Sequence, residues 1–547
     1  MLQSLTPAQT QWVEKTLSRL SLEESVAQLL CISQFSDDRD YWLRLIEKTP
    51  VGAARARSAD AERYREFLTE LQQNSAVPLL VPANMENGAT ELRGYGTGFP
   101  WAMGMGAAND EALMAVMGQA IATEARYIGV NWVFNPVIDI NFNPDNPITN
   151  IRSMGDNPAQ ISRLAVPWLQ AMQQHGVAAT PKHFPGDGVD DRDQHLVTTV
   201  NSLPFSQWIE TFGFVWKAVI EAGVMCIMPG HISLPDYEGY QQSPQDAPPA
   251  TLSRKLLIDL LRQELGYEGM IVSDNASMIG FTIHANPDDL IVDCIAAGND
   301  IYLNADPEHD FDRLMRGVQD GRIAEEQIYA SAKRVLEMKA RLNLFEDPFG
   351  PAPTSEEQTH FQEAAQLMAD KSITVLRNNE QLSLNLASGA KVLTVTYGQL
   401  MPRMGLVDLE VFDAELTARG FQVEHLHNPS SDEVRDKADE HDAVFINLLK
   451  LPMMPLGTAR MTDTFRSWGW RSLYVTHPNV AYTSFGSPYV AYELPPVPRL
   501  IATYGNSGCS QKAAVKVWLG EIEALGTLPV RMPAVEIKPL SLPHSEG

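Results

Sequence analysis

Cysteine is scarce. Four residues in 547 (Cys31, Cys226, Cys294 and Cys509) are too few and too scattered for a disulfide framework, and no pair has zinc-site spacing. Cys226 and Cys294 lie in apolar runs and read as buried, reduced thiols. Basic charge is also in short supply: Lys and Arg number 42 against 68 Asp and Glu, for a formal net charge of -26. A surface of that sign repels nucleic-acid phosphates and anionic lipid headgroups, so neither nucleic acid nor a membrane is expected as a partner. Long hydrophobic runs are missing. No stretch is long enough to span a bilayer, and Met1 to Leu20 lacks the basic end and apolar block of a secretory signal. The expectation is a cytoplasmic protein whose charge serves solubility. Solenoid-period repeats and low-complexity tracts are missing too.

What is present is a repeated grammar. At this length two or three domains are expected. From about residue 22 to 345, helical patterns end in glycine and short apolar runs follow. Met114 to Tyr127 leads to Gly129 and Val130 to Phe134; Ile161 to Gln174 leads to Gly176 and Val177 to Thr180. Trp208 to Ala222 leads to Gly223 and Val224 to Met228. Leu256 to Leu265 leads to Gly266 and the run into Asp274; Leu290 to Ala297 leads to Gly298 and Asp300 to Leu303. A glycine just past a helix caps it in the left-handed conformation and lets the chain turn back as a strand. Apolar strands alternating with helices imply parallel strands covered on both faces.

Polar residues gather where these runs end: Asn84 and Glu86, Asp139, Lys182 and His183, His231, and Asp274. That asymmetry predicts a (β/α)8 TIM-type barrel over residues 1–345 with its site at the carboxyl face. The Pro-rich stretch around Glu346 to Pro353 opens a linker expected over 346–385. A second alternating block, with apolar runs at Lys391–Val395, Ala443–Ile446, Ser472–Val475 and Leu500–Ala502, predicts a smaller α/β sandwich over 386–547.

The densest chemistry is Lys182-His183-Phe184-Pro185-Gly186-Asp187-Gly188, followed by Asp193-Gln194-His195. A strand ending in convergent polar groups and then a mobile loop is a common active-site plan. A carboxylate at a strand end, such as Asp274, can attack an electrophilic carbon as glycosidase nucleophiles do; its plainer role is to cap the next helix. In an extended loop Asp193 and His195 point to the same side. The Asp then orients the imidazole and favours its charged form, and such a His can give and retake a proton. A surface ion pair is the plainer reading. A calcium loop does not fit, because its glycine and closing Glu are misplaced. Lys182, His183 and Arg152 suit donation to vicinal hydroxyls.

At these residues the chain resembles glycoside hydrolase family 3, nearest to its bacterial β-N-acetylglucosaminidases. Lys182 to Gly188 with Asp193-x-His195 is similar to the signature loop, and Arg152-Ser153-Met154-Gly155 to the family's Arg-Ser-Phe-Gly. Asn131 to Asp139, Met228-Pro229-Gly230-His231, Leu265 to Asp274 and Ala297-Gly298-Asn299-Asp300 are similar to further landmarks. Ser484 to Tyr489 and Leu528-Pro529-Val530 are similar to the end of the second domain in two-domain members. The resemblance implies Asp274 as nucleophile, His195 as acid/base oriented by Asp193, and Arg152, Lys182 and His183 as holders of sugar hydroxyls. It implies a carbohydrate substrate, a retaining double displacement, and no metal or organic cofactor. Two positions depart from the pattern. Asn84 stands where an Asp commonly bonds the terminal sugar hydroxyls, and Asp187 where a His is usual. An amide bonds hydroxyls more weakly than a carboxylate does. The alternatives are a same-family glycosidase or phosphorylase for another β-sugar, and a sugar-binding protein without turnover.

Overall fold

The computed structural model describes residues 2–34, 38–56, 60–90, 95–378, 381–398, 409–451, 458–461, 465 and 468–533. Its first half is a closed ring of parallel strands: β1 (Leu30–Ser33), β2 (Ala53–Arg55), β3 (Pro82–Ala83), β4 (Trp132–Val133), β5 (Ala178–Ala179), β6 (Lys182–Phe184), β8 (Cys226–Pro229), β10 (Met270–Ile271) and β11 (Tyr302–Ala305). Pairing runs β11–β1–β2, β3–β4–β5 and β6–β8–β10. Parallel bridges from Ala53 to Leu80, Val137 to Lys182 and Val272 to Ile301 join the three sets. Because β5 and β6 lie end to end, the ring has eight strand positions, as the sequence pattern predicts. Two short strands, β7 (Thr199–Val200) and β9 (Ile232–Ser233), pair beside it.

Side-chain alternation along these strands builds two cores. Cys31, Ala53, Leu80, Trp132, Ala178, Cys226, Met270 and Leu303 point inward and form one buried cluster filling the barrel. Their neighbours Leu30, Ala54, Val81, Val133, Ala179, Ile227, Ile271 and Tyr302 point outward against the helices. The outer layer is set by the predicted caps: Gly129, Gly176, Gly223, Gly266 and Gly298 all have positive φ, between 71° and 120°. Trp132 is fully buried, and its indole N–H donates to the Thr180 hydroxyl at 2.7 Å. Truncating such a side chain to alanine costs about 3–5 kcal/mol.

The second half holds a six-stranded sheet in the order β12 (Thr374–Asn378), β17 (Arg499–Ala502), β16 (Val480–Ser484), β15 (Ala443–Leu449), β13 (Lys391–Gly398), β14 (Gln422–His427). Only β12 runs antiparallel to its neighbour. Alternate residues of β15 serve opposite faces: Ala443, Phe445 and Leu449 pack with Phe412 and Trp518, while Val444, Ile446 and Leu448 pack with Val434 and Trp470. This is the α/β sandwich. Residues 534–547 of its predicted span lie outside the described residues.

Two sequence expectations need correction. The segment read as a linker carries a helix, Ser355–Ser372, and then β12. Phe361, Ala364 and Met368 of that helix pack into the barrel's core and Ala369 into the sandwich's, so it joins the two. The run Ser472–Val475 is not a strand. It forms helical turns, with Val475 71% exposed. The strand is Val480–Ser484, every residue of it buried. Burial beside β15, not local β-propensity, chose between them. Among the described residues no helix is long and apolar enough to cross a membrane.

Candidate active site

A cavity of about 420 Å³ opens at the carboxyl ends of the barrel strands. Its floor is the last inward layer of the barrel, with Arg55, Phe134, Met228 and Leu303 contributed by β2, the end of β4, β8 and β11. Six of the seven site residues expected from sequence line it: Asn84, Arg152, Lys182, His183, His195 and Asp274. The seventh, Asp193, lies behind His195. Trp101, Ile148 and Met278 add apolar wall.

The network on one wall centres on Glu86. Its carboxylate accepts from Arg152 Nε at 2.9 Å, Arg152 Nη2 at 2.8 Å and Lys182 Nζ at 2.8 Å. Burial would raise the Glu86 carboxyl, but the two cations hold it well below the usual carboxylate range. Lys182 responds in the opposite sense. Burial pushes its ammonium below the ordinary lysine value, and Glu86 restores part of the difference. Sequence reading placed Glu86 at a strand end without giving it a role. The signal was its spacing two residues beyond Asn84, in a run that also lines the cavity.

Two Asp–His pairs approach Asp274. His183 Nδ1 is 2.7 Å from Asp139 Oδ2, and its Nε2 is 3.8 Å from Asp274 Oδ2. His195 Nδ1 is 2.6 Å from Asp193 Oδ1, which also accepts the His195 backbone N–H at 2.9 Å. Each aspartate occupies Nδ1 and leaves Nε2 for the cavity. Asp274 does not cap a helix: the next one starts at Ile279, and Asp274 Oδ1 accepts the neighbouring Asn275 N–H at 2.7 Å. Burial would raise its carboxyl, but His183, His231 and His195, together with that N–H, hold it below the ordinary value. The site therefore keeps an ionised carboxylate at neutral pH.

Further groups hold these in place. His231 is fully buried between the Thr251 hydroxyl (2.9 Å from Nδ1) and the Asn275 carbonyl (3.0 Å from Nε2). Burial lowers it to about 4, so the ring is neutral at neutral pH and carries charge only in the acid range where Asp274 itself titrates. Its Nε2–H donates to Asn275 and its Nδ1 accepts from Thr251, which steadies the residue after Asp274. Asp187, one of the two departures from the resembled pattern, donates its backbone N–H to Asp139 Oδ1 at 2.7 Å. Its own carboxyl is raised, by burial first and then by the Asp139 charge. Backbone hydrogen bonds anchor the loop that carries His195. Leu196 and Val197 donate to the Asp193 carbonyl, and Ile279 donates to the His195 carbonyl at 3.0 Å. Ser153, beside Arg152, donates to the Asp139 carbonyl at 2.7 Å. The sandwich's last segment then straps this region: Asp156 N–H donates to Pro529 O at 3.0 Å, and Arg531 N–H to Asp156 Oδ2 at 2.8 Å.

The glycosyl hydrolase family 3 N-terminal domain matches residues 21–338. Over 546 residues the chain is 31% identical to a β-N-acetylglucosaminidase/β-glucosidase of Cellulomonas fimi, covering 95% of each. This chain belongs to glycosyl hydrolase family 3. It is also 30% identical over 302 residues to β-hexosaminidase A of Pseudoalteromonas piscicida, over 50% of this chain and 49% of that one. Among solved structures it is similar to a β-glucoside phosphorylase, BglX, bound to 2FGlc (TM-score 0.87, 29% identity, 96% and 97% of the two chains). A family 3 β-N-acetylglucosaminidase from Paenibacillus sp. str. FPU-7 is also similar (TM-score 0.82, 26% identity, 94% and 99%). Membership of family 3 makes the protein a glycoside hydrolase with a carbohydrate substrate, and barrel plus sandwich is the shared architecture.

Proposed function

We propose that this family 3 enzyme releases terminal β-linked N-acetylglucosamine by a retaining double displacement. An Asp274 oxygen attacks the anomeric carbon as the bond to the glycosidic oxygen breaks, and His195 Nε2 gives that oxygen its proton. A sugar ester on Asp274 results. His195, now neutral, takes a proton from water as the water attacks the same carbon, and Asp274 leaves as the free carboxylate. Asp193 holds His195 in the tautomer this needs, and Arg152, Lys182, His183 and Asn84 bind the sugar hydroxyls.

One observation carries this reading: Asp274 and the Asp193-oriented His195 line the same cavity. The other imidazole, His183, sits 3.8 Å from Asp274. That is too close for an anomeric carbon and its leaving oxygen to lie between, since paired groups in retaining enzymes stand about 5 Å apart. This supports His195, rather than His183, for the acid's role. Trp101, Ile148 and Met278 offer apolar contact to an acetyl methyl. The Cellulomonas fimi relative's name covers both β-N-acetylglucosaminides and β-glucosides.

A second reading, phosphorolysis, draws on the likeness to a β-glucoside phosphorylase and on the acid/base itself. An imidazole in place of a carboxylate does not repel a phosphate acceptor. A panel of 4-nitrophenyl β-glycosides, each with and without inorganic phosphate, tests both. Turnover of the N-acetylglucosaminide without phosphate supports hydrolysis, and a sugar 1-phosphate product supports phosphorolysis. Faster turnover of another sugar contradicts the assignment to N-acetylglucosamine, and no turnover of any glycoside overturns the mechanism.

A further inference from the structure

The acid that protonates the glycosidic oxygen also fixes where the departing group lies, because that group is bonded to the same oxygen. The aglycone must therefore leave past His195. Beside His195 the protein exposes three branched aliphatic side chains: Leu196 at 40%, Ile279 at 48% and Ile283 at 58%. The segments that carry them lie side by side. Ile279 donates its backbone N–H to the His195 carbonyl at 3.0 Å, and the Thr198 hydroxyl donates to the Gly280 carbonyl at 2.7 Å. Thr198 also lies 2.7 Å from His284 Nε2, so segments 195–198 and 279–284 run edge to edge. A Cβ on Gly280 would fall 2.4 Å from the Gln194 carbonyl oxygen, so the two backbones meet too closely there for any side chain. Ile279 and Ile283 are four residues apart on one helical turn and share a face. Met278, just before them, lines the cavity and continues the apolar surface inward. In a chain with net charge -26, a seam of three exposed aliphatics running up to the acid is an unusual placement.

We propose that Leu196, Ile279 and Ile283 form an aglycone subsite for an apolar leaving group, an alkyl chain or an aromatic ring. The inference rests on His195 being the acid of the proposed function. The surface is already shaped before substrate arrives, since the two segments beneath it are joined by the Ile279–His195 and Thr198–Gly280 hydrogen bonds.

The test compares methyl and hexyl β-N-acetylglucosaminides. Both release primary alcohols of similar basicity, so their ratio of kcat/KM reads binding of the chain. The expected hexyl-to-methyl ratio is roughly tenfold or more, from burial of a few methylenes. Leu196→Ser and Ile283→Ser should each bring that ratio down severalfold, whatever they do to absolute rates. A disaccharide with a polar sugar as aglycone should fall below the hexyl glycoside. A wild-type ratio near one, a ratio unmoved by both variants, or a polar aglycone preferred over hexyl would each overturn the inference. Calorimetry with the S-methyl and S-hexyl thioglycosides reads the same ratio as dissociation constants. If no glycoside is cleaved but the hexyl ligand still binds more tightly, the mechanism fails while the subsite stands.

Discussion

Replacing Glu86 with glutamine removes one charge and almost no volume. In the structure that charge takes three hydrogen bonds from two cations, Arg152 and Lys182, whose side chains are only 15% and 4% exposed. The amide keeps one acceptor oxygen but turns an N–H2 toward groups that can only donate. Removing one partner of a buried pair costs about 3–5 kcal/mol, and the lower end applies here because the cavity admits water to Arg152. Glu86→Gln should therefore destabilise the barrel by about 3 kcal/mol, a fall of about 5 °C in melting temperature. With Arg152 and Lys182, the proposed hydroxyl ligands, unclamped, kcat/KM should drop by about 10²–10³. The pH dependence has a definite sign. The folded Glu86 carboxyl is held below its unfolded value near 4.5, so its stabilisation is complete above that pH and fades as pH falls through the folded value. Wild type should lose stability on acidification below about pH 4.5 more steeply than the variant. Scanning calorimetry across pH, with kinetics at neutral pH, decides the matter. A variant within 1 °C of wild type (roughly the error of such a comparison) and within about threefold in kcat/KM would refute the clamp.

Two other substitutions and one truncation probe different parts of the account. Asp193→Asn should lower kcat/KM by about 10²–10⁴, and more for alkyl than for nitrophenyl leaving groups, because only poor leaving groups need the proton; equal losses for both would argue against His195 as the acid. Lys339 is fully buried with Gln28 Oε1 as its partner at 2.6 Å, and burial lowers its ammonium to about 7 from 10.5. The unfolded chain therefore binds the extra proton between those two values and stability rises with pH across that window; Lys339→Met should flatten that rise in melting temperature, and an unchanged slope would contradict it. Ending the chain at Gly526 removes the strap on Asp156 and should raise KM severalfold with a smaller change in kcat and an unchanged far-ultraviolet spectrum; an unaltered KM would show that the sandwich does not steady the Arg152 loop.

The barrel was legible because its grammar is local. A glycine cap needs only the residues beside it, and all five predicted caps took the left-handed conformation. Six of the expected residues meet at one cavity because barrel strands deliver their carboxyl ends to one face, so chain position translates into location. What stayed hidden depended on distant partners. Glu86 looks like an ordinary strand-end acid until Arg152 and Lys182 fold against it. Arg55 belongs to none of the motifs, and the inward turn of β2 makes it part of the cavity floor. β12 could not be seen as a strand, because it needs β17, more than a hundred residues away, to complete it. Val480–Ser484 was passed over for the more aliphatic Leu473-Tyr474-Val475, which lacks a neighbouring strand to pair with.

The central claim is that Asp274 becomes covalently bonded to the sugar. Incubation with an activated 2-deoxy-2-fluoro glycoside, digestion and mass spectrometry of the peptides test it directly. The account predicts one sugar per chain, on the peptide containing Asp274, and no adduct in Asp274→Ala. A label on any other residue, or an unlabelled enzyme that turns the inhibitor over with inversion, would contradict it.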